Sequence, residues 1–249
     1  MAPLPTLPIP DPTLEAVDRE IVARASAGPR RRYLGMSSIA EPCERKLWYG
    51  LNSEQDPEPF SARTIRMFND GHRGEDVIIS LLRMVPGIQL HVRGDDGRQF
   101  RVEDYDGRFA GHLDGAIIGL IQAPKTWHVF EAKVCNEKKF AKLNELKVKL
   151  GEKQALEAWD PIYYGQAVAY MSYTGMTRHY LVAATPGMRD LTSVRTNENP
   201  VYAMRLKAKA ERILNAKYPL ARISNDPDWW QCKSCQWRTV CHQQPESDA

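Results

Sequence analysis

The sequence predicts an α/β protein in which helices flank a mixed central sheet. Three observations indicate this class. Helical periodicity dominates the first third of the chain, β-branched and aromatic residues alternate with polar ones from about Ile88, and helix-like and strand-like segments alternate after that. The 249 residues, 43% hydrophobic and 26% charged, suit one elaborated globular domain. We find no repeated unit, which excludes a solenoid or a propeller.

Composition and charge exclude several classes of function. The mean hydropathy is -0.49, and no apolar run approaches the roughly 20 residues that span a bilayer. The N-terminus lacks a charged region followed by an apolar stretch, so it does not resemble a secretory signal. We therefore expect a cytoplasmic protein with no membrane partner. The net charge of +3 permits an anionic partner without requiring one.

The first 87 residues are predicted to be a proline-rich arm followed by helices. Prolines at positions 3, 5, 8, 10 and 12 predict an extended arm over residues 1–12. Residues 13–87 form the predicted N-terminal helical region. Its helices are expected near Thr13–Ala27, Ser38–Leu51 and Phe60–Val85, the last one interrupted near Gly71 and Gly74.

Residues 88–220 carry the predicted sheet, with turn signals at Gly94, Asp106-Gly107 and Gly119 between its first strands. The predicted strands are Ile88–Arg93, Gln99–Glu103, Arg108–Asp114, Ala116–Ile121, Trp127–Val134, Thr177–Ala183 and Asp190–Arg195. The predicted helices are Glu137–Gly151, Pro161–Tyr173 and Pro200–Lys217.

Chemistry is concentrated at Asp114 and at the pair Glu131 and Lys133. Strand side chains alternate between faces, so Glu131 and Lys133 share one face, which Asp114 can also reach. Two carboxylates offer hard oxygen ligands to Mg²⁺ or Mn²⁺, and a lysine beside them can orient or deprotonate water, or neutralise a phosphate. This set suits phosphodiester hydrolysis. Taken alone, the same residues also fit a surface ion pair across a hairpin.

Further motifs add a resemblance to a known family. Gln166 and Tyr170 form a Q-x-x-x-Y pattern after the strand that carries Glu131 and Lys133. The segment Glu131–Phe140 reads EAKVCNEKKF, and Asn69–Asp76 holds His72 and Glu75. The sequence resembles the PD-(D/E)XK nuclease superfamily in its RecB-like exonuclease branch. Leu113 stands where many members have proline. Each pattern also has a structural interpretation, an amphipathic helix face for Gln166 and Tyr170 and a capping histidine for His72.

The resemblance implies a restriction-endonuclease-like fold, with the nuclease core at residues 88–220. It implies catalytic roles for Asp114, Glu131, Lys133, Gln166 and Tyr170. The implied ligands of the divalent metal are His72, Asp114, Glu131 and Ala132.

The cysteines point to a second metal centre. Five cysteines without an export signal argue against a disulfide framework. Three lie in residues 221–249, as Cys232-x-x-Cys235 with Cys241, between Trp229-Trp230 and His242. This knuckle resembles that of iron-sulfur nucleases similar to the CRISPR-associated RecB-like exonucleases and phage relatives, which implies Cys43 as fourth ligand of a [4Fe-4S] cluster. Thiolates suit Zn²⁺ equally, and His242 can replace one of them. We interpret Cys135 as a structural cysteine.

Basic and aromatic residues supply candidate contacts to a nucleic acid. Lysines of the helix from Glu137, and basic residues of Arg205–Lys217, are candidate phosphate contacts or solvated faces. Trp159, Tyr163 and Tyr164 are candidates for base stacking or for the core. The resemblance implies a divalent-metal-dependent DNA exonuclease acting on single-stranded ends in DNA repair or recombination. A non-catalytic nucleic-acid-binding adaptor and a restriction-type endonuclease are the alternatives.

Overall fold

A computed structural model describes residues 11–243, so the first ten residues of the predicted arm lie outside the described part of the chain. The helices are α1 (Pro12–Ser26), α2 (Glu44–Asn52), α3 (Ala62–Arg83), α4 (Glu137–Leu150), α5 (Glu152–Trp159), α6 (Pro161–Thr174), α7 (Pro200–Asn215), α8 (Trp230–Lys233) and α9 (Arg238–Gln243). The strands are β1 (Leu34–Gly35), β2 (Gln89–His91), β3 (Arg101–Asp104), β4 (Phe109–His112), β5 (Gly115–Ile118), β6 (His128–Val134), β7 (Arg178–Ala184) and β8 (Leu191–Asn197). Within residues 11–243, no helix is long and apolar enough to cross a membrane.

The strands form two mixed sheets, and the prediction of a single sheet was wrong. The larger sheet has the order β2-β5-β6-β7-β8, with β6 and β7 parallel and the other pairs antiparallel. The smaller sheet has the order β1-β4-β3. The predicted segment Arg108–Asp114 ends its pairing at His112, and the chain then passes from the small sheet to the large one. The α/β class and the flanking helices are confirmed, and the arrangement is consistent with a restriction-endonuclease-like fold.

Helix α3 is continuous, although the sequence predicted an interruption near Gly71 and Gly74. Ser61 caps its first turn by accepting a hydrogen bond from the Thr64 backbone N–H at 3.2 Å. Gly74 is buried, and a Cβ there would overlap the side chains of Val134 and Met188. The glycine therefore lets α3 lie close against β6 without breaking the helix.

Helix α6 is buried on most of its faces because it packs between the large sheet and the helices around it. Asp160 begins it by accepting hydrogen bonds from the Ile162 and Tyr163 N–H groups at 3.0 and 3.1 Å, and Pro161 occupies the first turn, where no backbone donor is needed. The sequence did not predict α5, the short helix that precedes α6. It also did not predict β1, whose two residues pair in parallel with β4.

Two hydrophobic layers cover the two faces of the large sheet. On one face, Val129, Leu181 and Val194 belong to the core that contains α6 residues such as Val168. On the other face, Phe130, Ala132 and Val182 pack with Ile78 of α3. Alternate residues of β6 thus enter different cores, so α3 and α6 approach the same strand from opposite sides.

His179 is a deeply buried ionisable side chain on β7. It is 1% exposed and lies opposite Thr196 of β8. Its Nδ1 and the Thr196 hydroxyl are both buried without a hydrogen bond in the described structure. Burial, and then the charges of Lys133 and His128, lower the pKa of His179 from 6.5 to about 3.

This shift predicts a loss of stability in acid. A histidine whose pKa is lower in the folded state contributes fully above about pH 6.5, and stability falls as the pH drops, by about 1.4 kcal/mol per pH unit for one proton. We expect His179→Leu to flatten this acid limb in urea unfolding followed between about pH 7.5 and about pH 5. His91→Leu, at an exposed position, is the control and should keep the wild-type slope. An unchanged slope in His179→Leu would show that this side chain does not govern acid stability.

Candidate active site

Asp114, Glu131 and Lys133 lie together where β5 meets β6. Gly115 pairs with Phe130, which brings Asp114 beside Glu131. The backbone N–H of Ala132 donates to Asp114 Oδ2 at 3.0 Å. Lys133 Nζ donates to Glu131 Oε1 and stands 3.9 Å from Asp114 Oδ2. The strand pairing therefore brings two carboxylates and one ammonium to a single point.

Burial makes the charges of this group strongly interdependent. The side chain of Glu131 is 2% exposed and that of Lys133 17%. Burial raises the pKa of Glu131, and the negative charge of Asp114 adds to this, while Lys133 opposes it. Burial disfavours the ammonium of Lys133, but the carboxylates of Glu131 and Asp114 outweigh it and raise the pKa of Lys133. Lys133 is therefore a fixed positive charge beside Asp114.

Helix α6 places Gln166 and Tyr170 at different parts of the site. Gln166 Nε2 donates to Glu131 Oε1 at 2.7 Å, so this amide contacts the buried carboxylate directly. Tyr170 donates its hydroxyl to the His112 backbone carbonyl at 2.8 Å, and burial raises its pKa. Tyr170 thus holds the chain two residues before Asp114 and is buried too deeply to contact a polymer, at 1% exposure.

Helix α3 contributes Glu75 from the other side. Burial raises the pKa of Glu75, and the charge of Asp114 raises it further, which places these two carboxylates near each other. His72 is exposed, and its charge acts on Glu75. Ala132 contacts Asp114 through its N–H. The structure thus brings Glu75 toward the carboxylates and leaves His72 at the surface of α3.

Tyr163 adds an aromatic wall beside Lys133. Its ring centroid lies 5.4 Å from Lys133 Nζ and 4.6 Å from Lys139 Nζ. Lys139 also pairs with Asp160 at 2.6 Å. The spacing of Tyr163, Gln166 and Tyr170 follows one face of a helix, and this is the signal that could have assigned all three to the site.

Two aromatic residues predicted as candidates for base stacking lie in the core. Trp159 is 9% exposed and donates its indole N–H to the Lys139 carbonyl at 2.8 Å. Tyr164 is 7% exposed, stacks on Tyr202 and accepts a hydrogen bond from Asn199. For these two residues the structure selects the core alternative and excludes base stacking, because neighbouring helices cover their rings.

The structure holds several candidate phosphate-binding cations in ion pairs. Lys142 pairs with Glu145, and Arg212 pairs with Glu44. In contrast, Lys138 and Lys149 are exposed, and neither has an ion pair within residues 11–243. Of the lysines on α4 that the sequence offered as phosphate contacts, Lys138 and Lys149 therefore remain candidates that no ion pair occupies within the described residues.

The four cysteines predicted as cluster ligands line one cavity. Cys43, at the start of α2, faces Cys232, Cys235 and Cys241 of the C-terminal segment across this cavity, which His242 also lines. Burial raises the pKa of Cys232, and the neighbouring thiols of Cys43 and Cys241 add to it. Stacking of Tyr49 on Trp237 at 5.7 Å joins the same two parts of the chain.

The side chains do not form a complete metal-binding site. Within residues 11–243, no group of three or more His, Cys, Asp or Glu side chains stands at metal-binding distances. At the carboxylate site, however, Glu131 Oε2 is buried without a hydrogen-bond partner in the described structure. A buried, unpaired carboxylate oxygen beside a second carboxylate fits a divalent cation.

Cys135 is half-buried and does not line the cavity of the other four cysteines, and burial raises its pKa.

No family model and no curated protein sequence matches this chain. Among solved structures, it resembles the crystal structure of SSO0001, with 15% identity over 92% of this chain and 96% of that one and a TM-score of 0.48. It also resembles the alkaline exonuclease LHK-Exo from Laribacter hongkongensis (14% identity, 79% and 90% coverage, TM-score 0.48). A phage-related exonuclease from Haemophilus somnus 129PT gives 13% identity, 72% and 78% coverage and a TM-score of 0.43. These identities and TM-scores are too low to assign an activity to this chain. A function is therefore proposed from the residues of its own site.

The buried pair predicts an asymmetric response to substitution. Lys133→Met leaves the Glu131 carboxylate buried without its counter-ion, so we expect a loss of about 3 kcal/mol in the free energy of unfolding. The double variant Glu131→Gln with Lys133→Met removes both charges and should lose less. Urea unfolding in metal-free buffer measures both values. Equal losses in the single and double variants would show that the loss in Lys133→Met does not come from the unpaired Glu131 carboxylate.

Proposed function

We propose that this protein is a divalent-metal-dependent nuclease that hydrolyses phosphodiester bonds in DNA. The observation that carries the proposal is the cluster of Asp114, Glu131 and Lys133, in which a buried carboxylate has one oxygen without a partner. Burying such a cluster costs free energy, and buried groups with strongly shifted pKa values are concentrated at functional sites. An ordinary surface ion pair does not account for it, because Glu131 is almost fully enclosed.

In this proposal, Asp114 and Glu131 would hold Mg²⁺ or Mn²⁺, which supplies a Lewis acid and lowers the pKa of bound water. The resemblance adds His72 and Ala132 as further candidate ligands, and the proximity of Glu75 to Asp114 adds a third carboxylate. Lys133 keeps its proton beside the two carboxylates, so its part is to orient the attacking water and to neutralise charge that develops on the phosphate. Gln166 fixes the Glu131 carboxylate by its hydrogen bond.

The exonuclease mode and the preference for single-stranded ends rest on the resemblance of the Gln166 and Tyr170 motif to the RecB-like branch. Exposed Lys138 and Lys149 near the start and end of α4 supply positive charge for backbone contacts. Among the described residues, we find no helix that presents a row of free base-reading side chains, so we propose little sequence specificity.

Single substitutions test the catalytic assignment. We expect Asp114→Ala and Lys133→Ala to lose at least about 100-fold in the rate of DNA hydrolysis, and a chelator to abolish it in the wild type. Lys142→Ala, in an exposed ion pair outside the site, is the control and should stay within a few-fold of the wild type. Release of nucleotides from end-labelled single-stranded DNA with Mg²⁺ or Mn²⁺ is the measurement.

Closed circular single-stranded DNA separates the modes of action. Resistance of the circle together with digestion of the linear strand supports an exonuclease. Cutting of the circle contradicts the exonuclease mode and favours a restriction-type endonuclease. Binding without any hydrolysis contradicts the nuclease assignment and favours an adaptor.

We further propose that Cys43, Cys232, Cys235 and Cys241 hold a [4Fe-4S] cluster, with Zn²⁺ as the alternative. Their shared cavity supports this, because thiols from distant parts of the chain meet there without pairing. A bound cluster would join α2 to the C-terminal segment and would act structurally, since the cavity is lined by neither Asp114 nor Glu131.

Metal analysis after anaerobic purification tests this ligand set. We expect iron and sulfide in the wild type, and we expect Cys43→Ala to lose the metal and to unfold at a lower temperature. Cys135→Ala is the matched control, because this thiol is half-buried and lies outside the cavity. Zinc in place of iron would overturn the cluster and keep the ligand set, whereas retention of metal in Cys43→Ala would contradict both.

A further inference from the structure

An open cavity of about 740 Å³ lies at the end of β6 away from Lys133, beside β2, β5 and the turn between α6 and β7. Its lining includes His91, Phe100, Lys125, Trp127 and Met176. The volume falls in the range of ligand-binding clefts. Among the described residues that line it, there is one lysine and no carboxylate. The cavity thus offers aromatic surface and one cationic side chain.

Trp127 differs from the tryptophans that belong to the core. It is 40% exposed, and its indole N–H has no hydrogen-bond partner in the described part of the chain. Trp48 and Trp159, by contrast, each donate the indole N–H to a backbone carbonyl, at 2.9 and 2.8 Å. The ring of Trp127 contacts one other ring, that of the exposed His91, at a centroid distance of 5.6 Å. A large aromatic surface therefore stays open to solvent.

The position of Trp127 is set by the hairpin that connects β5 to β6. His128, fully buried, bonds through Nδ1 to the Thr126 carbonyl at 2.9 Å, and the Thr126 N–H bonds to the Ala123 carbonyl at 3.3 Å. Both neighbours of Trp127, and one neighbour of Lys125, are thus held by hydrogen bonds. The two side chains stand on a rigid turn, which lowers the entropy cost of binding a ligand against them.

The cavity lies close to the candidate active site along β5. Ala116 lines the cavity and pairs with His91 across β2 and β5. Asp114 lies at a bend just before β5, two residues and about 7 Å along the chain from Ala116. Gly115 permits the close approach of β2, because a Cβ there would stand 2.6 Å from the His91 carbonyl oxygen. A polymer held at Asp114 can therefore extend into this cavity.

We propose that the cavity binds an unpaired base of the DNA strand, with the base stacked on Trp127 and the adjoining phosphate near Lys125. This inference rests on the proposed nuclease function for the identity of the polymer. Stacking on an exposed indole is tolerant of sequence and needs an unpaired base, since a paired base has its faces covered by its neighbours. The site thus discriminates single-stranded from duplex DNA.

Binding measured without hydrolysis tests the proposal. Fluorescence anisotropy of a labelled oligothymidylate, with the full chain in a chelating buffer, gives the affinity. We expect Trp127→Ala to weaken binding about 5- to 150-fold, the range found when stacked aromatics are replaced by alanine. Trp127→Phe should retain most of the affinity. Trp230→Ala, which removes an indole that is 67% exposed in the C-terminal segment, is the matched control and should bind as the wild type does.

Binding of duplex DNA, and a second variant, provide the results that would overturn the proposal. The affinity for a blunt duplex should change little in Trp127→Ala, and an equal loss for duplex and single strand would overturn the stacking role. Wild-type affinity in a folded Trp127→Ala would overturn the site. If circular dichroism shows that Trp127→Ala does not fold, Lys125→Glu serves instead, with a weaker single-strand affinity and a salt dependence reduced by about one ion. Unchanged binding in Lys125→Glu would then overturn the proposal.

The two proposals fail separately. Binding that depends on Trp127 in a protein that never hydrolyses DNA would overturn the nuclease function and support the cavity. Hydrolysis that requires Asp114 but is indifferent to Trp127, with unchanged single-strand affinity, would support the nuclease and overturn the cavity.

Discussion

The burial of the Glu131 carboxylate against Lys133 is the constraint on which the rest of the structure depends. An enclosed carboxylate is tolerated only where a counter-ion and hydrogen-bond donors surround it. Lys133 supplies the charge and Gln166 the donor, while the Ala132 N–H holds Asp114 alongside. One strand therefore carries both the core residues that anchor it and the charged residues that the core would otherwise exclude.

Helices on both sides of β6 contribute residues to the surroundings of Glu131 and Asp114. Gly74 allows α3 to approach the strand, which brings Glu75 toward Asp114. On the other side, the Asp160 cap sets the start of α6, so that Gln166 reaches the carboxylate and Tyr170 supports the backbone at His112. A divalent cation held by Asp114 and Glu131, as proposed, would relieve the carboxylate repulsion that burial intensifies.

The aromatic residues fall into two groups, those buried in the core and those open to solvent. Trp159 and Tyr164 are enclosed by helix packing, whereas Trp127 stands on a hairpin with its ring open beside a lysine. The cavity of cysteines is separate from both, and it joins the first helices to the last segment. The proposed site for chemistry, the proposed surface for a polymer strand and the cavity that joins distant segments thus occupy different parts of one fold.

The sequence by itself determined the α/β class, most strand and helix positions, and the grouping of Asp114, Glu131 and Lys133, because strand alternation and helical periodicity are local properties. Only the tertiary structure decided that the strands divide into two sheets, that α3 continues through Gly71 and Gly74, and that His72 stays exposed while Glu75 approaches Asp114. The same holds for Trp159, whose burial no local pattern reveals, and for Trp127, whose open face depends on how β2 and the turn before β7 lie around the hairpin. Pairing between distant strands and packing between helices decide these features, and neither leaves a periodic signal in the chain.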